Sequence, residues 1–498
     1  MLFKPASAAT GEGRDMAAKP CAVSLWALGL LFLAGIIQSL LPPLQSPDEF
    51  AHLVRAYSLY SGDFVMRKPP DQAYAGVAVD AGLVSFFQAY ESIPYNAENR
   101  LSRQVVQAGE QIRWQGVSRF SAAPGAAYNM PLVYFPQASG LWLGKILDLS
   151  VAHSYWLARL FALLAALGLV ALALAQYPAN PLLLGLLVMP MSLVQWASPS
   201  LDGISVGLAL LCCALFMRLM RQPGRPAPHL LWGLALALLL LTTCRVHLLP
   251  LLLLPGLVAL VRRDRTAWLL FGATSVLALA WTGLAVSSSY IARATPGMST
   301  SAVVAHYLAE PGEFFGALLR TWANADMRRF YLQSFIGILG WLDTPLGSGA
   351  YRVLASGLCV LAGLAVSLRR QEVGRLCLGL MAGFSLLIVF LALLVTWNPL
   401  APTVIEGVQG RYFTIPLVLL SYALAGSAGM GQGWRQRLAA VGVIALALIS
   451  LFVTSRAVLE RYYLAPVPVG TAPSVFTGQW AEMPAEMPAN SAADEGKR

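Results

Sequence analysis

The sequence predicts an all-α, polytopic integral membrane protein, and three observations carry that prediction. Of 498 residues, 57% are hydrophobic and only 12% are charged. Apolar runs of about 20 residues recur along the chain, the length that crosses a bilayer as a helix. The period-two alternation of a membrane β-barrel is missing from those runs. The formal net charge of +10 is not a nucleic-acid signal. The basic residues fall in short clusters between apolar runs, where the positive-inside rule places them.

Residues 1–21 read as a cytoplasmic N-terminal segment carrying Lys4, Arg14 and Lys19. The apolar run that follows is long and has no small-residue cleavage site after it, unlike a secretory leader. Clear spanning segments lie at roughly 22–41, 153–175, 181–199, 203–220, 229–244, 247–261, 267–288, 350–368, 376–396, 411–428 and 437–455. Two further stretches, 131–149 and 330–346, are ambiguous. Loop charge decides them. With the N-terminus inside and both stretches on the membrane surface, the short loops "RLMRQPGRPAPH", "RRDRT", "SLRRQEVGR" and "GQGWRQR" all become cytoplasmic. A crossing at 131–149 alone would put all four outside. The stretch 330–346 is also short and contains Asp343, which argues against a full crossing. The expectation is a transmembrane domain over 22–464 with about eleven helices. Its first outer loop is 42–152 and its second large outer loop is 289–349. A tail over 465–498, rich in Pro, Ala and Ser, reads as disordered. The six cysteines lie in or beside apolar segments, so no disulfide framework is implied.

This topology puts the unusual polar residues on one outer face. They lie in "SPDEFAHLVRAY" (46–57), "SPSLDG" (198–203), "TTCRVHLLP" (242–250) and "IEGVQGRYFTIP" (405–416). Charges gathered at one surface suit an interfacial reaction, whereas a transporter concentrates ionisable groups near the midplane. In the first stretch, Ser46 as cap, Pro47 at the first helical position and Glu49 three residues after the cap form a capping box. Asp48, His52 and Arg55 then fall at i, i+4 and i+7, on one helix face. Asp48 is the candidate acid, with Glu49 second to it, and His52 and Arg55 are candidate substrate-binding groups. Asp202 is either the cap of the next helix or a second acid in the site. Arg245 and Arg411 carry guanidinium forks matched to phosphate oxygens; a snorkelling side chain is the alternative for Arg245. Tyr412 joins them as a substrate-binding candidate. The remaining histidines are scattered, with no zinc-site spacing.

An acidic pair just beyond the first membrane helix resembles the GT-C superfamily of membrane glycosyltransferases. Four motifs in order, "SPDEFAHLVRAY", "MPMSLVQWASPSLDG", "GILGWLDTPL" and "GVQGRYFTIPL", resemble the bacterial predicted membrane proteins filed as domain of unknown function 2142. The resemblance implies a GT-C-like bundle whose first outer loop carries juxtamembrane helices. It implies a polyprenyl-phosphate-linked sugar donor, a cell-envelope glycan or glycolipid acceptor, and residence in a bacterial inner membrane. It implies that Asp48 acts at the acceptor, in some relatives through a divalent metal such as Mg or Mn, with Asp48 and Asp202 the positions to hold one. The pattern at 245 is a lysine followed by an aromatic residue, where this chain has "CRVH". Competing readings are an exporter of lipid-linked sugars and a non-catalytic factor in envelope-polymer assembly.

Overall fold

The computed structural model describes residues 20–96, 98–289, 298, 300–366, 372–425 and 433–464. The N-terminal segment up to residue 19, the tail 465–498 and parts of the loops "SLRRQEVGR" and "GQGWRQR" lie outside them. The described residues form nineteen α-helices and two small two-stranded pairs.

Helix α1 (Pro20–Leu40) stops just before Pro42 and Pro43, because proline has no backbone N–H to continue it. It turns Leu25, Leu28 and Phe32 outward and Ala34 and Ile37 inward. An apolar outward face on a helix of this length is suited to lipid. Helix α2 (Glu49–Ser61) ends at Gly62, whose φ of 83° is a left-handed cap that glycine adopts without strain. Then come β1 (Gly76–Asp80), α3 (Ala81–Tyr90), α4 (Arg103–Gln111) and β2 (Ser118–Ala122). The strands pair antiparallel, Gly76 opposite Ala122 and Asp80 opposite Ser118. Asp80 organises this region. Its carboxylate accepts from the backbone N–H groups of Gly82, Gln115 and Gly116 at 2.9, 2.9 and 3.0 Å and pairs with Lys145 at 3.3 Å. Burial opposes its charge, but these donors hold its pKa below the ordinary carboxylate value.

A 3-10 turn, Pro131–Tyr134, leads into α5 (Phe135–Ile146), which has only 12 residues. A helix of that length rises about 18 Å, short of a hydrocarbon core of about 30 Å. Instead α5 packs flat on α6 (Val151–Gln176). A Cβ on Gly140 would stand 2.4 Å from the Ala158 nitrogen, and one on Gly144 2.2 Å from Ser154 Oγ. Two glycines four apart share a face and let helices touch. The opposite face exposes Phe135, Trp142 and Ile146.

The segment expected to span over 181–199 is not one helix. It breaks into α7 (Pro181–Leu187) and α8 (Pro190–Ala197). Pro190 supplies no N–H, and the carbonyls of Leu186 and Leu187 at the break accept from Ser192 Oγ at 2.7 Å and Trp196 Nε1 at 3.0 Å. Every residue of both helices is buried in protein, the setting in which interrupted helices are tolerated at membrane depth.

Next are α9 (Asp202–Arg221), α10 (Pro228–Thr242), a 3-10 stretch Val246–Leu252 running into α11 (Leu253–Arg262), and α12 (Arg265–Ser288). The second large loop holds α13 (Thr300–Ala309), α14 (Pro311–Ala323) and α15 (Ala325–Gly337). After α15 the chain turns back, Ile338 pairing with Pro345 around Gly340 and Leu342, both at positive φ. Residues 330–346 are therefore not a continuous helix. The order closes with α16 (Ser348–Ala365), α17 (Val373–Trp397), a 3-10 turn Gly410–Phe413 with α18 (Thr414–Ala425), and α19 (Trp434–Tyr462). Among the described residues, seven helices are long and apolar enough to cross a membrane: α1, α6, α9, α12, α16, α17 and α19. The other expected segments are three shorter apolar stretches, Pro228–Thr242, Val246–Arg262 and Gly410–Ala425, and the broken pair α7–α8.

Candidate functional site

Four charged side chains from distant parts of the chain meet in one place. The turn between α1 and α2 supplies Asp48, the first residue of α9 supplies Asp202, the junction after α10 supplies Arg245, and the turn before α18 supplies Arg411. Arg411 is the centre. Its Nη2 donates to Asp48 at 2.8 Å, its Nη1 to Asp202 at 3.3 Å and its Nε to Gln409 Oε1 at 2.7 Å. Arg245 donates through Nη2 to the other oxygen of Asp202, and through Nε to Ser205 Oγ at 3.2 Å. The charges thus alternate along Asp48, Arg411, Asp202 and Arg245. Together with Gln195, His247, Tyr412 and Thr414 they line a cleft, except that Asp48 lies at its edge, outside the lining.

Local sequence explains each placement. Helix α2 begins at Glu49, not at Pro47, and Asp48 precedes it with φ 60° and ψ 9°. A short polar side chain tolerates that left-handed conformation. Half of the expected capping box survives: the Ser46 N–H donates to Glu49 at 3.0 Å, while Ser46 Oγ caps nothing. Asp48 is therefore not one turn of a helical face shared with His52 and Arg55, and its side chain turns to Arg411. The cap position of α9 is Leu201 and Asp202 is the first helical residue; both of its oxygens meet arginines. Gly410 brings Arg411 into position. A Cβ there would stand 2.1 Å from the backbone nitrogen of Phe335, and its N–H donates to Ser334 Oγ at 2.8 Å. Only glycine allows the chain to lie that close to α15.

Three other candidates have different surroundings. Glu49 is fully buried, accepting from Tyr155 at 2.5 Å and from Ser46. Burial pushes its carboxyl pKa up, and Arg159 and the Tyr155 hydroxyl act against that rise. Glu49 does not line the cleft, and of the adjacent acids it is Asp48 that reaches Arg411. Arg55 is also fully buried, and it donates to the carbonyl of Asn129 at 2.8 Å and of Phe64 at 3.0 Å. It ties α2 to the segment that follows it and to the segment before α5. His52 is buried with Nδ1 2.6 Å from the Tyr134 hydroxyl. Burial lowers its pKa to about 4, with Asp202 and Asp48 acting against the fall and Arg245 and Arg411 adding to it, so the ring is neutral near pH 7. Tyr412 lies beside Arg411, whose guanidinium carbon is 5.3 Å from the ring centroid.

A divalent ion held by Asp48 and Asp202 does not fit this donor set. The Arg411 guanidinium lies between the two carboxylates, and both oxygens of Asp202 already meet guanidinium groups. Among the described residues no three His, Cys, Asp or Glu side chains gather as a metal would need.

Sequence reasoning missed His247 and Gln195 in the cleft, and Gln409, which accepts from Arg411 Nε. It also missed Tyr155, whose hydrogen bond to Glu49 braces the turn that carries Asp48 together with those of Arg159 to the carbonyls of Leu41 and Ala197. Arg159 inside an otherwise apolar span was the available signal.

Fold and cluster together define a polytopic helical membrane protein with an alternating charge cluster where several helix ends meet. The chain belongs to the family described as "Predicted membrane protein (DUF2142)", whose model matches residues 30–421 and so takes in all four charged residues. A solved structure described as "Crystal Structure of ArnT from Cupriavidus metallidurans bound to Undecaprenyl phosphate" is 14% identical. The match covers 82% of this chain and 78% of that one with a TM-score of 0.24, which does not establish a shared fold. No curated protein matches.

Proposed function

We propose that the chain is a GT-C-type membrane glycosyltransferase. It takes a sugar from a polyprenyl-phosphate donor at the extracytoplasmic face of a bacterial inner membrane and passes it to a cell-envelope glycan or glycolipid. The observation that carries this reading is the pair Arg411 and Arg245 bridged by Asp202 beside a half-exposed Asp48. Two fixed guanidinium groups in a cleft at helix ends suit a lipid phosphate, and an acid beside them suits an acceptor hydroxyl.

In the reaction, the acceptor oxygen attacks the anomeric carbon while the bond from that carbon to the phosphate oxygen breaks. The phosphate leaves with the bonding pair as an anion, so no strong general acid is required. Arg411 and Arg245 stabilise the charge that develops on it. Asp48 accepts the hydroxyl's hydrogen bond and takes its proton late in the transfer. The transition state has oxocarbenium character, as in glycoside chemistry generally. One direct displacement inverts the anomeric centre. Neutral His52 and buried Glu49 support the turn and exchange no proton with substrate. Asp202 keeps the two arginines in register.

Incubating the purified protein with a radiolabelled polyprenyl-phosphate sugar and envelope acceptors tests this. Transfer of label to an acceptor is expected from the wild type, and Arg411→Ala is expected to lose most of it. Translocation of the intact donor across a vesicle membrane without transfer would replace this reading with that of an exporter.

A further inference from the structure

We propose that the donor phosphate and Asp48 compete for Arg411, so that donor binding releases the carboxylate that then receives the acceptor hydroxyl. The inference rests on the function proposed above for the identity of the anion. Its geometric basis is the unequal hold on the two carboxylates that flank Arg411. Asp202 is gripped by Arg245 and Arg411 together and its side chain is only 13% exposed. Asp48 has Arg411 as its one ion-pair partner among the described residues and is 46% exposed. Arg411 itself is fixed: its side chain is 7% exposed, Gln409 holds Nε, and Gly410 is packed against α15. An anion that arrives at Arg411 therefore meets a guanidinium that does not move and one carboxylate that can.

Charge makes the displacement necessary. A phosphate that pairs with Nη1 and Nη2 through two oxygens would lie against the Asp48 carboxylate, and like charges in a water-poor cleft repel strongly. Asp48 swings outward, because its backbone lies in a turn ahead of α2 and its side chain makes no capping bond to hold it. While it is paired, its Oδ2 accepts from an N–H of Arg411, and the carboxylate is held against the guanidinium. Once the phosphate has replaced it, that oxygen is free. The whole carboxylate is thus released toward the acceptor when donor is in place, which favours an order of donor first and acceptor second.

The test measures binding of decaprenyl phosphate to the purified full chain in nanodiscs, with inorganic phosphate as a second arm. Wild type, Asp48→Asn, Asp48→Gly and Arg411→Ala are compared, with thermal unfolding as a control for folding. Asn and Gly both accept the positive φ at this position, so the turn is preserved. Removing the competing carboxylate should tighten decaprenyl phosphate binding roughly tenfold in both Asp48 variants, a difference of about 1.4 kcal/mol. Inorganic phosphate should show the same order at weaker affinity. Asp48 variants that bind equally or less tightly than wild type, while Arg411→Ala loses binding, would overturn the competition and leave the glycosyltransferase reading standing. Arg411→Ala binding as wild type does would overturn the phosphate site itself, and the competition with it. A gain confined to inorganic phosphate would also count against the competition, because the lipid-linked anion is the one it concerns.

Discussion

Asp48 is unusual for its backbone as much as its charge. A non-glycine residue at φ 60° is uncommon, and here it turns the carboxylate away from the axis of α2 toward Arg411. Glu49, its neighbour, is turned inward and closed off by Tyr155. Two adjacent acids therefore point to different surroundings, set by one turn. Replacing Asp48 with Asn keeps shape and hydrogen bonding but removes the proton acceptor, and turnover is expected to fall by about 10²–10⁴-fold. An Asp48→Asn enzyme with wild-type turnover in the transfer assay would remove the acid from the mechanism. His52 gives a pH prediction. Its folded pKa of about 4 lies below the 6.5 of an exposed imidazole. Between those values the unfolded chain binds a proton that the folded chain does not. Its contribution to stability is therefore fully present above about pH 6.5 and is lost as pH falls toward 4. The thermal midpoint should drop across that window in wild type and drop less in His52→Gln. Identical slopes would show that the ring is not held neutral.

At the scale of elements, the site depends on close packing that only small residues permit. Helix α5 lies on α6 through Gly140 and Gly144, and α6 carries Tyr155 and Arg159 behind the Asp48 turn. Replacing Gly144 with Leu should cost about 1–3 kcal/mol through overpacking. It should also lower transfer, because the displaced α6 no longer braces Glu49. A thermal midpoint unchanged by that substitution would mean that the two helices do not touch there. The broken pair α7–α8 shows the complementary device. Ser192 and Trp196 satisfy the carbonyls that Pro190 leaves open, and α8 then passes directly into the turn that presents Asp202.

For the whole molecule, the helical class and a shared face for four charged residues are readable in the sequence for different physical reasons. Helices follow from apolar length, because no other open structure satisfies its backbone in lipid. Asp48, Asp202, Arg245 and Arg411 are assigned to one face by the parity of basic loops, and the structure brings those four together. Parity carries no distances and no backbone angles, so the left-handed turn at Asp48 was not readable. The sealing of Glu49 was not readable either, since its partner Tyr155 is 106 positions away. Arg55 has the helical spacing of a site residue, and its carbonyl partners, Phe64 nine residues on and Asn129 74 residues on, are not readable from that spacing. The interruption at 188–189 was present as a proline just after it inside an apolar run, which average hydropathy does not register.

The central claim is that Arg411 and Arg245 form the phosphate end of a lipid-linked substrate site with Asp48 at its edge. A structure of the protein bound to a polyprenyl phosphate tests it most directly. The account predicts density for the phosphate within hydrogen-bonding reach, about 3 Å, of the Arg411 and Arg245 guanidinium nitrogens. It also predicts that the Asp48 side chain has moved off Arg411. A phosphate lying more than one helix turn, about 5.4 Å, from both arginines would contradict it.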